Sequence, residues 1–176
     1  MPAGEEHHPL VQLASAAIQA FVCEGRTLTP AEVQCEVTGS PAGVFVTLRF
    51  RSNGELRGCI GTIQATEPTL AAETIQNAIS SAAHDPRFPP VRPEELPELE
   101  IEVSVLHRAE KISSLEQLDP RRYGVIVQHG RRRGLLLPDI EGIDDAVTQV
   151  EIARQKAWIA PDQPLEMFRF QVDKYR

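Results

Sequence analysis

Cysteine is scarce and unmatched in this chain. Its three copies, Cys23, Cys35 and Cys59, are odd in number and form no C-x-x-C or Cys/His pair at ligand spacing, which argues against both a disulfide framework and a zinc site. A reducing compartment is expected. Long apolar runs are also missing: nothing approaches the roughly 18 residues of a membrane helix, and the opening MPAGEEHHP is acidic where a secretion signal is basic. The chain therefore reads as soluble and cytoplasmic, with no membrane partner. Positive charge is in short supply, 18 Lys and Arg against 25 Asp and Glu, a net charge of −7. Nucleic-acid binding, which depends on neutralising phosphates, is disfavoured.

What is present suffices for one sizeable core: 176 residues, 41% apolar and 24% charged. A single domain over 1–176 is expected, with 1–8 flexible and His7 and His8 solvated. From Pro9 to Glu24 apolar residues recur with helical rhythm and Gly25 stands ready as the stop. Thr29-Pro30-Ala31-Glu32 resembles a capping box. Val44-Phe45-Val46-Thr47-Leu48-Arg49-Phe50 is a strand, and Ser52-Asn53-Gly54-Glu55 is a hairpin turn into a second strand. Thr66 can cap a helix carrying the apolar stripe Leu70, Ala71, Ile75, Ala78, Ile79 and Ala82, which ends before His84.

Five prolines in 84–98 exclude a long helix or central strand there. Leu99-Glu100-Ile101-Glu102-Val103-Ser104-Val105-Leu106 alternates as a strand with one wet face. Residues 111–118 suggest a short helical turn. Two further strands flank His129-Gly130-Arg131-Arg132, a last helix is expected over 142–157, and 165–172 reads as one edge strand. Laid on each other, 44–83 and 124–157 share a hairpin, an Arg-Gly pair on its second strand and a following helix. Arg57-Gly58-Cys59 then matches Arg133-Gly134-Leu135, a weak internal repeat with leucine opposite the cysteine.

The stretch most in need of explanation is Leu56-Arg57-Gly58-Cys59-Ile60-Gly61-Thr62-Ile63, because two glycines weaken a strand interior. Alternation puts Arg57, Cys59, Gly61 and Ile63 on one face. A positive charge beside a thiol favours the thiolate, and glycines permit close approach of a backbone or ligand. The other reading is a small cysteine packed at a tight crossing of strands. Arg does not act as a base, and nothing in the sequence brings His84, His107 or His129 to Cys59. Asp85 and Arg87 read either as a lock on their own loop or as part of the same site. The basic run Arg131, Arg132 and Arg133 reads as a solvated hairpin tip, with an anion or partner contact as the alternative.

The pieces Gly43-Val44-Phe45-Val46-Thr47-Leu48, Leu56-Arg57-Gly58-Cys59-Ile60-Gly61-Thr62, Asp85-Pro86-Arg87-Phe88-Pro89-Pro90 and Gly134-Leu135-Leu136-Leu137-Pro138 resemble the AMMECR-one-like family. Its name comes from the AMME syndrome chromosomal region, and its bacterial and archaeal members are called protein A of the AmmeMemoRadiSam group. The resemblance runs from about Leu10 to the C-terminus. It implies a single α+β domain of duplicated β/α units around a mostly antiparallel, barrel-like sheet with flanking helices. It also implies two partners, a Memo-like (extradiol-dioxygenase-like) protein and a radical S-adenosylmethionine enzyme. No reaction, metal or cofactor comes with it.

By this likeness Cys59 and Arg57 become candidate catalytic residues, and Gly58, Gly61, Asp85, Arg87 and Phe88 candidate substrate-binding residues. Two departures stand out. Related sequences often end the last helix Lys-Ala-Gly where this chain has Lys156-Ala157-Trp158, and many place a cysteine where Arg154 stands, which disfavours a two-cysteine redox mechanism. Two functions follow as expectations. One is an accessory or substrate-binding component that docks its partners through a groove at Cys59; the other is a Cys59-dependent enzyme acting on a small anionic or electrophilic substrate.

Overall fold

The structure, a computed structural model, describes residues 7–176; Met1 to Glu6 of the stretch expected to be flexible lie outside the described residues. The chain forms two compact units, one running through Val105 and taking in Lys174–Arg176, the other Leu106–Asp173. Helices and antiparallel sheet alternate as expected for α+β. The barrel-like sheet is corrected: the strands form two open four-stranded sheets, ordered β2-β1-β3-β8 and β4-β7-β5-β6.

In the first unit, α1 (Pro9–Glu24) ends at Gly25, whose φ of 65° is the left-handed turn glycine adopts without penalty. His8 is the cap of α1, its Nδ1 accepting the Leu10 N–H, and it stacks on Tyr175. It is therefore held, not a free solvated end. β1 (Val44–Phe50) pairs antiparallel with β2 (Leu56–Gly61) and with β3 (Leu99–Leu106). α2 (Leu70–Ala83) is capped by Thr69, not Thr66, because Pro68 biases Glu67 away from helical backbone. Leu13, Ala14, Ala17 and Ile18 of α1 meet Ile75, Ala78 and Ile79 of α2 over Val44, Val46, Leu48 and Val103. Each such aliphatic side chain contributes on the order of 2 kcal/mol of burial.

In the second unit, β4 (Glu110–Ile112) pairs with β7 (Glu166–Phe170), so the helical turn expected over 111–118 shrinks to a 3-10 turn at Leu115–Gln117. β5 (Gly124–His129) and β6 (Arg132–Leu136) form the second hairpin. α3 (Ala146–Lys156) starts later than 142 because Asp145 accepts the Thr148 N–H as its cap. The expected single last strand breaks at Gln171: β7 joins the second sheet, while β8 (Val172–Tyr175) joins the first. Val125, Val127, Leu136, Val150 and Ala153 form this unit's core.

The repeat is visible in the packing. A Cβ added to Gly58 would lie 2.2 Å from the Ser81 carbonyl oxygen of α2, and one added to Gly134 would lie 2.1 Å from the Ala153 carbonyl oxygen of α3. Each glycine lets the second strand of a hairpin lie directly on the backbone of the following helix. Each of those strands is also an edge of its own sheet.

Candidate functional site

Cys59 lies opposite Thr47 on β1, and its own backbone groups turn outward from the pair. Its N–H donates to Asp85 Oδ2 at 2.9 Å and its carbonyl accepts from Arg87 Nη2 at 3.3 Å. The pair is therefore one of the closer, non-hydrogen-bonded pairs of an antiparallel ladder. This places the Thr47 hydroxyl 3.4 Å from the Cys59 sulfur. The thiol is half-buried.

The loop after α2 supplies the outer wall. The Asp85 carboxylate accepts the Arg87 backbone N–H at 3.0 Å and its side chain twice, at 3.0 Å through Nε and 2.8 Å through Nη2. The carboxylate is buried, and the Arg87 guanidinium holds its pKa at about 2, against the penalty of burial and with help from the Cys59 and Arg87 N–H groups. The pair locks its own loop and caps the open edge of β2. The Arg87 side chain still keeps 54% of its surface exposed.

Arg57 is placed differently. It is only 6% exposed, and a two-pronged pair with Glu95, at 2.9 Å and 3.1 Å, balances its charge. Arg57 holds the Glu95 carboxyl below its ordinary pKa against burial, and the Arg92 N–H assists. Its Nη1 is buried without a hydrogen-bond partner. The ring of Phe88 has a guanidinium carbon on each count within cation–π range, 5.9 Å for Arg57 and 5.4 Å for Arg87.

The structure thus brings Cys59, Asp85, Arg87, Phe88 and Arg57 together. Both glycines are accounted for by packing: the Ser81 carbonyl occupies the space beside Gly58, and the Phe45 ring that beside Gly61, at 2.3 Å from an added Cβ. The Ser81 hydroxyl accepts from Ile60 N–H and donates to the Val46 carbonyl, bridging residues that face each other across β1 and β2.

Sequence reading missed Thr47, Glu95, Ser81 and Glu73. Register from the hairpin turn could have pointed to Thr47; Glu95 lies far along a proline-rich loop and gave no signal. Glu73 is fully buried and accepts from Thr62 Oγ1 at 2.5 Å and from the Thr66 and Glu67 N–H groups at 2.7 Å each. Burial raises its pKa, but these donors outweigh that and keep it below the ordinary value.

The histidines are engaged elsewhere. His84 ends α2 and meets Phe21 edge-on, His107 reaches Asp173 at 2.9 Å, and His129 reaches the Pro164 carbonyl at 2.9 Å. Among the described residues no group of three or more His, Cys, Asp or Glu could hold a metal ion, and no helix is long and apolar enough to cross a membrane. Chemically, the arrangement offers a half-buried thiol, a hydroxyl in hydrogen-bond contact with it and one partly exposed guanidinium, and among the described residues no imidazole or carboxylate is hydrogen-bonded to the sulfur.

Comparison with known proteins gives consistent matches. The AMMECR1 family model matches residues 11–175. A protein of Thermotoga maritima is 47% identical over 171 residues, which cover 96% of this chain and 98% of that one. A protein of Clostridium acetobutylicum is 39% identical over 174 residues, covering 98% of this chain but only 36% of its own length. The crystal structure of an uncharacterized protein from Pyrococcus horikoshii superposes with a TM-score of 0.85 at 35% identity, covering 94% of this chain and 88% of that one.

Proposed function

The chain belongs to the AMMECR1 family, and from that premise we propose that it is an accessory or substrate-binding component working with a Memo-like protein and a radical S-adenosylmethionine enzyme, which it meets through the surface at Cys59. One observation carries this reading. The acids and arginines around the thiol are consumed in pairs, Arg57 with Glu95 and Asp85 with Arg87, so the surface is built to hold shape and charge and not to move protons. What it presents outward is the partly exposed Arg87 head, held in place by Asp85 and the Cys59 carbonyl. The longer Clostridium relative supports the reading too, since there the matching region is joined to further chain.

The test is titration calorimetry of the purified protein against the Memo-like and radical enzymes of its own organism. Saturable binding to either, weakened at least about tenfold by Arg87→Glu, is expected. Failure of both to bind, or turnover of a metabolite by this protein alone, would overturn the proposal.

A second reading, a Cys59-dependent enzyme acting on a small anionic or electrophilic substrate, is favoured by the half-buried sulfur with the Thr47 hydroxyl against it. Iodoacetamide labelling read by peptide mass spectrometry separates Cys59 from the exposed Cys23. Labelling of Cys59 no faster than that of a free cysteine peptide would exclude it.

A further inference from the structure

The second unit presents a surface whose features its own fold does not use. Trp158 is the only tryptophan of the chain and is 83% exposed. Its φ of 56° is left-handed, a backbone state that costs an L-residue on the order of 1–2 kcal/mol. Three backbone contacts hold it there: its N–H donates to the Gln155 carbonyl at 3.0 Å, the Ile159 N–H to the Arg154 carbonyl at 3.2 Å, and its own carbonyl accepts from the Arg132 guanidinium. A large apolar ring is thus fixed in water, in a conformation glycine would adopt without strain.

Beside it stands the β5–β6 turn. Arg131, Arg132 and Arg133 are exposed, and among the described residues none has an acid within ion-pair distance, as is also true of Arg49, Arg51, Arg108 and Arg122; Arg132 lies on the Trp158 side of β6 and Arg133, the next residue of the strand, on the other. A cavity of about 430 Å³ opens here, with His129, Arg131 and Arg132 on its basic side and Ile159, Ala160 and Gln163 completing the wall. Lys156 adds order to the same edge, donating to the Leu135 carbonyl at 3.0 Å just as Arg87 donates to that of Cys59, the matching position of the repeat.

We propose that Trp158, Arg131 and Arg132 form a docking face for an acidic peptide segment of a partner protein. An apolar side chain of the segment lies on the indole, and its carboxylates meet the guanidiniums. Charge complementarity selects an acidic occupant. Tryptophan and arginine together are the residue types that dominate binding energy at protein interfaces. Three adjacent cations on a chain of net charge −7 make too short a track for a polynucleotide, which needs a groove neutralising many phosphates. The proposal is independent of the Cys59 reading, and either can fail alone.

The test uses the full-length protein and a fluorescein-labelled peptide of glutamates around two leucines. Its lysine counterpart and an oligo-dT strand are the comparators. Expected are a saturable rise in peptide anisotropy, a blue shift of the sole tryptophan's emission, and weakening by added salt. Affinity should fall at least about tenfold in Arg131→Glu and in Trp158→Ala, each melting no lower than the parent; Arg132 is spared because it holds the Trp158 carbonyl. Equal binding of the lysine peptide, or no binding with unchanged emission, overturns the proposal. Tighter binding of oligo-dT would assign the face to nucleic acid, and a dimer abolished by Trp158→Ala would assign it to a second copy; both also overturn it.

Discussion

Asp85→Asn isolates the contact that joins the loop after α2 to the edge of β2. The wild-type carboxylate accepts the Cys59 N–H at 2.9 Å and three N–H groups of Arg87 between 2.8 and 3.0 Å. These hold its pKa at about 2 in place of 3.8. At about 1.4 kcal/mol per pH unit, that depression corresponds to roughly 2 kcal/mol of folding stability. The sign follows from its direction. A carboxyl lowered on folding contributes its full stability above the unfolded value and loses it as pH falls toward the folded one. The parent should therefore exceed the variant by about 2 kcal/mol from pH 7 to about 5, by about half that near pH 3, and by almost nothing near pH 2. Urea denaturation across that range measures the difference, and comparison with the variant cancels the titration of Glu73 and Glu95. An offset below about 0.5 kcal/mol at neutral pH, or one that persists undiminished to pH 3, would refute the claim that this carboxylate ties loop to strand.

Trp158→Gly should raise stability by about 1 kcal/mol, because the left-handed backbone costs glycine nothing and the exposed ring loses no packing; a lower melting temperature would contradict this. Gly58→Ala and Gly134→Ala should each destabilise by about 2 kcal/mol or more, since the new Cβ meets a helix carbonyl at 2.2 Å and 2.1 Å. Parental melting of either would mean that strand and helix separate freely. Glu73→Gln should cost about 2 kcal/mol at neutral pH by leaving buried donors of Thr62, Thr66 and Glu67 poorly matched. As the Glu73 carboxyl is held below its ordinary pKa, the difference should shrink on acidification, as read by denaturant titration.

Several elements were legible because their signals are local. The helical rhythm ending at Gly25, the hairpin around Asn53-Gly54 and the alternation of 99–106 involve neighbours a few residues apart, and α1, β1, β2 and β3 follow them closely. Misplaced boundaries share a cause. Thr66 and Thr69 are both competent caps; Pro68 disfavours helical backbone at Glu67, and the attachment of Thr66 to the buried Glu73 carboxylate holds it off the helix start. Residues 165–172 form one aromatic-rich run with no turn residue in it, yet the change of sheet at Gln171 depends on which strands stand nearby.

By itself, the sequence determined the family, the α+β class, the glycine-bracketed cysteine strand and the faint repeat. Only the tertiary structure decided that Arg57 spends its charge on Glu95, 38 residues away, that Asp85 reaches the Cys59 backbone across 26 residues, and that the two glycines are filled by a helix carbonyl and an aromatic ring. Periodicity and turn chemistry act over one or two helical turns. The neutralisation of a charge and the capping of a sheet edge depend on which distant segments the folded chain brings within 3 Å, and no local pattern encodes that.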